Sequence, residues 1–286
     1  MAIITGERIQ NLAHIYIGFN EDFRWNPTIS IQTNKHKFLM DFLNGEEYDN
    51  PPIVFCYGHL IHKFANYIHL FKNPFVFITH NSDENIQDGL SIRKILASDR
   101  IIRVYSQNIC FPLSQYPKLY FLPIGIANSQ WPHGNLSQLS DVMTRNIPKT
   151  KHIYMSFKID TNSSLRNPCY QSLYQLIPFL PFVNFHENIL RMAEYTYCIC
   201  PNGNGVDTHR MWEALYLNVV PILLENEFSK NIRTMGYPCI LVESWETWNP
   251  DLLEKNRDYS SEFASAQSLL SMNRIYDLLL QDVRFL

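Results

Sequence analysis

The sequence predicts an α/β protein made of parallel sheets in two halves. Short apolar, β-rich runs alternate with segments of helical spacing along most of the 286 residues. Strands alternating with helices imply crossover units. A polar break over 129–150 divides the series in two, and within the second half a strand, a glycine-rich turn and a helix follow one another over 195–217.

The first half opens with an expected strand at 14–19 and helical spacing at 35–43. Strands at 52–57 and 75–81 flank a helix at 60–71, and strands at 100–107 and 118–125 complete it. The break begins with Trp131-Pro132-His133-Gly134-Asn135, and the linker is placed there. In the second half, strands are expected at 152–157, 182–185, 195–200, 219–224 and 239–243, and helices at 168–177, 187–194, 207–217 and 227–235. Val219-Val220-Pro221-Ile222-Leu223-Leu224 is a continuous apolar run of buried-strand type. The last segment, 259–286, reads as helix. The expected organisation is an α/β domain at 1–135, a second at 136–258 and the terminal helix, with the two halves facing a cleft. Ligands of open α/β sheets bind beyond the carboxyl ends of the strands. That edge receives His80-Asn81-Ser82-Asp83, Ser156 with Lys158, and 201–205.

Composition narrows the class. A hydrophobic content of 46% with 18% charged residues describes a globular chain with a substantial core. Aromatics at 14% suit carbohydrate clefts, and also simply fill cores. A net charge of −3 gives no basic footprint for nucleic acid. None of the six cysteines forms a Cys-x-x-Cys pair, so they read as reduced thiols without zinc. Residues 1–10 have no apolar signal core, and no run reaches the roughly 18 apolar residues of a membrane span. The expected location is the cytoplasm.

The most telling stretch runs from Cys200 to Leu215, Cys-Pro-Asn-Gly-Asn-Gly-Val-Asp-Thr-His-Arg-Met-Trp-Glu-Ala-Leu. Gly203 and Gly205 allow close approach of a ligand or positive φ. Asp207 or Thr208 can cap the helix, whose N-terminus then offers amides and partial positive charge to an anion. Arg210 in the first turn can grip a phosphate. Glu213 shares its helix face with Arg210 and His209, and its carboxylate could accept both hydroxyls of a ribose. The plainer alternative is a surface helix with an Arg210–Glu213 ion pair after an ordinary glycine loop.

Asn204-Gly205-Val206-Asp207-Thr208-His209-Arg210-Met211-Trp212-Glu213-Ala214-Leu215, followed by Val220-Pro221-Ile222, resembles the donor-binding motif of the exostosin-like glycosyltransferases. Tyr154-Met155-Ser156-Phe157-Lys158 with Arg166 resembles the strand and loop that open that family's nucleotide-binding domain. His80-Asn81-Ser82-Asp83, Ser106-Gln107-Asn108 and Pro123-Ile124-Gly125-Ile126-Ala127-Asn128 resemble the N-terminal half of its short members. The resemblance spans roughly residues 75–245, and the compact, soluble versions encoded by large algal viruses are the nearest in type. It implies a GT-B fold of two Rossmann-like domains, an acceptor-side one at 1–135 and a nucleotide-sugar-binding one at 136–258, with a terminal helix crossing back. It also implies inverting transfer without a metal, and xylose as the first sugar to test. The anchor usual in animal and plant members is not seen in this chain.

Sugar transfer needs a stabilised leaving diphosphate, an activated acceptor hydroxyl and exclusion of water. No Asp-x-Asp metal motif occurs, and Glu225-Asn226-Glu227 reads more simply as a helix cap. The diphosphate charge would therefore be met by the helix N-terminus, Arg210, and Lys158 or Arg166, with Ser156 also in reach. Lys158 and Arg166 read equally as solvated loop charges. Pro201, Asn202 and Asn204 border the base or sugar, or serve the turn. For the general base, Asp83 comes first and His80 second, with His59 and Glu84 behind them. The alternative is that Asp83 caps the next helix and His80 bonds within its loop. His59, Asn81, Trp131 and His133 are candidates for the acceptor wall, the last two equally for the hinge. The expected ligands are a UDP-sugar donor and a glycan acceptor, with no metal or other cofactor, no nucleic acid and no membrane span. The rival reading is a catalytically inactive protein that binds glycans or nucleotide sugars. A second rival, another nucleotide-dependent enzyme, is disfavoured by the missing phosphate-loop and dinucleotide fingerprints.

Overall fold

A computed structural model of the chain describes residues 2–18, 50–255 and 257–284. It divides into two compact units, Met1–Ile124 with Ser271–Leu286, and Gly125–Leu270. The sequence-based break at 135/136 thus lies inside the second unit. The helix expected at 35–43 and the Phe19 end of the first expected strand lie outside the described residues.

The first unit contains a five-stranded parallel sheet in the order β1 (Ile15–Ile17), β2 (Ile53–Tyr57), β3 (Phe75–His80), β4 (Ile101–Ser106) and β5 (Leu119–Phe121). Every residue of β2 and β3 is buried, as expected of central parallel strands covered on both faces. The Ile61–Tyr67 helix places Phe64 flat on Phe77 of β3, with ring centroids 4.1 Å apart. The Leu90–Ala97 helix buries Ile92, Ile95 and Leu96. It was not expected, although Ile92, Ile95 and Leu96 keep the i, i+3, i+4 spacing of a helix face.

Strands that advance in one direction through right-handed crossovers place their helices on one face. The other face needs cover from elsewhere. The Gly6–Gln10 helix and the Met272–Arg284 helix both lie against β3. Ile9, Met272, Ile275 and Leu279 join the core of this unit. Asp282 accepts from the Tyr105 hydroxyl at 2.5 Å and lies 3.6 Å from Arg103.

The second unit holds a four-stranded parallel sheet, β6 (Lys151–Tyr154), β7 (Tyr195–Ile199), β8 (Val220–Leu224) and β9 (Ile240–Val242), in that order. Its crossovers carry the Ser163–Leu173, Phe185–Ala193, His209–Tyr216 and Glu227–Thr234 helices. Lys149 ties two of them to the sheet by donating to the carbonyls of Ala193 and Leu217, at 2.8 and 2.7 Å. Among the described strands neither sheet reverses its order, the feature at which doubly wound sheets usually open a crevice. Both units are nonetheless Rossmann-like in the sense that the alternation of strand and helix implies.

Three expectations are corrected. Residues 182–185 are not a strand: Asn184 caps the Phe185–Ala193 helix by accepting from the Glu187 amide at 3.0 Å. The polar break contains a helix, Leu136–Thr144, capped by Asn135 and anchored by Leu139 and Val142. The helix expected from 168 begins at Ser163, so Pro168 sits inside it and leaves the Ser164 carbonyl without its helical donor. All six cysteines are free. No described helix is long and apolar enough to cross a membrane.

Candidate functional site

The chain leaves β7 at Cys200, whose amide still donates to the Ile222 carbonyl at 3.0 Å. Residues 201–208 then form a compact loop. The Gly203 amide donates to the Gly205 carbonyl at 3.1 Å, and the Gly203 carbonyl accepts from Asn162 at 2.7 Å. Neither glycine has positive φ. Gly203 provides room instead: a Cβ there would lie 3.2 Å from Nη2 of Arg166. Pro201 is buried, Asn202 is half-buried and Asn204 is exposed in this turn.

Thr208 occupies the N-cap in extended conformation, and its side chain makes no cap hydrogen bond. Asp207 is buried, and its carboxylate accepts from the indole N–H of Trp212 at 2.6 Å. The loop is thereby locked onto the helix that follows it.

Arg166 was expected on a loop. It lies in the Ser163–Leu173 helix and is buried. Its Nε donates to the Asn202 carbonyl at 2.9 Å and its Nη1 to the Lys158 carbonyl at 2.8 Å. It therefore staples the loops beyond β6 and β7 together. Burial, followed by the neighbouring Arg210, pulls its pKa down. Lys158 is exposed, with Nζ 5.0 Å from the ring centre of Phe182. Ser156 is buried and hydrogen-bonds Tyr154.

Arg210 and Glu213 form an i,i+3 pair with Nε and Oε2 3.6 Å apart. Glu213 is 4% exposed, and its Oε2 is a buried oxygen with no hydrogen-bond partner. Arg210 is held from behind: its Nη1 donates at 2.9 Å to Oδ1 of Asn188, which also accepts from the Tyr154 hydroxyl at 2.9 Å. Burial acts to lower the Arg210 pKa, but Glu213 and its other neighbours outweigh it and the value is raised. Asn188 was not singled out from sequence, and Tyr154 only as part of the 154–158 segment, with no role of its own. Asn188 reads as an ordinary polar residue of a capped helix, and no local spacing links it to Arg210.

His209 begins the helix, with Nδ1 2.8 Å from the Gly125 carbonyl. A carbonyl only accepts, so Nδ1 carries the hydrogen. The ring of His133 lies edge-on to it at 5.9 Å, and Trp131 stacks on His133 at 6.4 Å. Trp131 is 45% exposed. Burial, followed by His209, lowers the His133 pKa, with Glu213, Arg210 and Lys158 also acting on it. Gly134 closes this turn because a Cβ would fall 2.1 Å from the Asn128 carbonyl oxygen. His133 thus belongs to the neighbourhood of Arg210 and Glu213 in the second unit.

The remaining candidates lie in the first unit. His80 ends β3 and is fully buried, its Nε2 3.1 Å from the Pro123 carbonyl and its Nδ1 3.2 Å from Oδ1 of Asn81. Asn81 takes positive φ (54°) and donates to Gly6 and Gln10 at 3.2 and 2.7 Å, so it is a structural hub. Asp83 and Glu84 are exposed, so this unit does not supply the partial burial expected of the base. Asp83 does not cap the next helix, whose N-cap is Gly89. His59 is exposed and stacks on Tyr57 at 5.6 Å. Gly58 beside it has a Cβ position 2.9 Å from Ser82, which brings the loops after β2 and β3 into contact.

No family model and no curated protein matches the chain. It is similar to a solved structure of trehalose-6-phosphate from E. coli bound with UDP-2-fluoro glucose, at 11% identity over 98% of this chain and 82% of that one, with a TM-score of 0.39. A likeness that faint carries nothing about chemistry.

Proposed function

We propose that the chain is an exostosin-like glycosyltransferase of the GT-B type that moves a sugar from a UDP-sugar to a glycan hydroxyl. The observation that carries this reading is Oε2 of Glu213, a buried carboxylate oxygen that receives no hydrogen bond although Arg210 lies 3.6 Å away. An unsatisfied buried acceptor costs about 1–3 kcal/mol. Two vicinal ribose hydroxyls are donors suited to relieve it. Arg210, Arg166 and Lys158 outnumber the carboxylates of Glu213 and Asp207, a positive balance that suits a diphosphate ester. Positive groups held in place for the leaving diphosphate supply the electrostatic term that usually dominates catalysis.

In this proposal the acceptor oxygen attacks the anomeric carbon while the bond to the diphosphate oxygen breaks. UDP leaves with the electron pair, the acceptor proton passes to a base, and an α-linked donor gives a β-linked product. Asp83 is the first candidate base, because both ring nitrogens of His80 already face carbonyl oxygens. Xylose, a metal-independent reaction, a cytoplasmic location and kinship with viral members belong to the same proposal. The occupied ring of His80 also favours a second reading, an inactive nucleotide-sugar-binding protein.

The test is release of free UDP from UDP-xylose and UDP-glucose with and without xylo- and gluco-oligosaccharides, in EDTA. Acceptor-dependent release that survives chelation is expected. Loss on chelation, restored by Mn²⁺, contradicts the metal-free step. Tight UDP binding without any transfer supports the inactive reading, and failure to bind any nucleotide sugar contradicts both.

A further inference from the structure

We propose that Asn188 is the positioning residue for Arg210, and that its neutral amide leaves the guanidinium charge free for the diphosphate; this rests on the reading above. Asn188 stands on the Phe185–Ala193 helix, with 7% exposure. Its Oδ1 receives two hydrogen bonds, from Nη1 of Arg210 and from the Tyr154 hydroxyl, each 2.9 Å long. A guanidinium can only donate, so the oxygen of the amide must be the atom that faces it. Tyr154 is fully buried on β6 and is itself bonded to Ser156. Burial raises the Tyr154 pKa, so the phenol keeps its proton and remains a donor. A chain of fixed groups therefore runs from the sheet through Tyr154 and Asn188 to one end of the guanidinium.

The chemistry of the holding group matters. An aspartate would hold Arg210 more strongly, as a charge-assisted pair. It would also add a second anion to the one Glu213 already supplies. A ligand diphosphate would then meet a neutralised arginine. An amide offers the same two lone pairs without the charge. An arginine kept only for stability has no need of this distinction, whereas one kept for an anionic ligand does.

The variant that separates the two roles is Asn188→Asp in the full chain, with UDP affinity read by calorimetry and thermal unfolding read in parallel. The proposal expects a melting temperature equal to or above that of the unaltered protein, and UDP binding weaker by about tenfold or more. Asn188→Ala, which removes the acceptor, should weaken UDP binding by a similar factor and lower the melting temperature. Equal UDP affinity in the unaltered protein and a folded Asn188→Asp overturns the need for a neutral amide, and equal affinity in a folded Asn188→Ala overturns the positioning role; neither touches the reading beneath. No UDP binding by the unaltered protein overturns this role and the reading beneath it together. Should Asn188→Asp fail to fold, Tyr154→Phe carries the test. It removes one of the two donors that orient the amide, and severalfold weaker UDP binding is expected. Unchanged affinity in that variant overturns the proposal.

Discussion

Glu213→Gln removes one charge and almost no volume, and the structure allows its two consequences to be separated. In the free protein the carboxylate gains from Arg210 at 3.6 Å. In an effective dielectric of about 20 that attraction is about 5 kcal/mol before any cost is counted. Against it stand the desolvation of a buried carboxylate, several kcal/mol, and the unpartnered Oε2, about 1–3 kcal/mol. The terms nearly cancel, so the melting temperature should move by only a few degrees. Ligand binding should respond differently. If a ribose donates both hydroxyls to this carboxylate, glutamine keeps one acceptor and loses one charged one, about 1.5–3 kcal/mol, or roughly ten- to a hundredfold in UDP affinity. The assay is a cycle of two proteins against two ligands, UDP and 2′,3′-dideoxy-UDP, by calorimetry. The loss should be confined to UDP. An equal loss with both ligands, or none with either, refutes the ribose contact.

Three other outcomes follow from local geometry. Asp207→Ala leaves the indole N–H of the fully buried Trp212 without its acceptor; denaturant unfolding should show a loss of about 1–3 kcal/mol, and an unchanged midpoint would show that the clamp is idle. His152 is held below the ordinary histidine value of 6.5, by burial first and Lys255 second, and both ring nitrogens lack partners. The unfolded chain therefore takes up a proton first as pH falls below about 6.5, and stability present above that value is lost towards the lower folded pKa. His152→Phe should flatten that part of the melting-temperature profile between pH 7.5 and 5, leaving the share that His133 contributes in the same direction; an identical slope in the variant would contradict the assignment. Asp83→Asn should lower turnover by about a hundred- to ten-thousandfold with donor affinity nearly unchanged, whereas an active Asp83→Asn beside an inactive His80→Ala would move the base to His80.

What the sequence made legible is what local periodicity encodes. The short apolar runs Ile53–Tyr57 of β2 and Phe75–Ile78 of β3 read as buried strands. The spacing of Arg210 and Glu213 places them on one helix face at any helix, and the ion pair follows. Tertiary partners were not legible. Nothing near Arg210 in the chain points to Asn188, and Arg166 looks like a loop charge until the Ser163–Leu173 helix carries it beneath Gly203. The 182–185 segment misled because Phe182, Val183 and Phe185 imitate a strand. Asn184 starts a helix there, and Phe182 stays 66% exposed against Lys158. The Leu136–Thr144 helix was hidden by serines and a threonine, with only Leu139 and Val142 buried.

The central claim is that the loop and helix over 201–213 hold a nucleoside diphosphate, and thermal unfolding with UDP, uridine and inorganic pyrophosphate tests it directly. A ligand at a hundred times its dissociation constant that binds only the folded state adds about 2.7 kcal/mol. The account predicts a clear rise in melting temperature with UDP, a smaller one with pyrophosphate, almost none with uridine, and loss of the UDP effect in a folded Arg210→Ala. A UDP shift that persists undiminished in Arg210→Ala, or no shift with any nucleoside diphosphate, would contradict it.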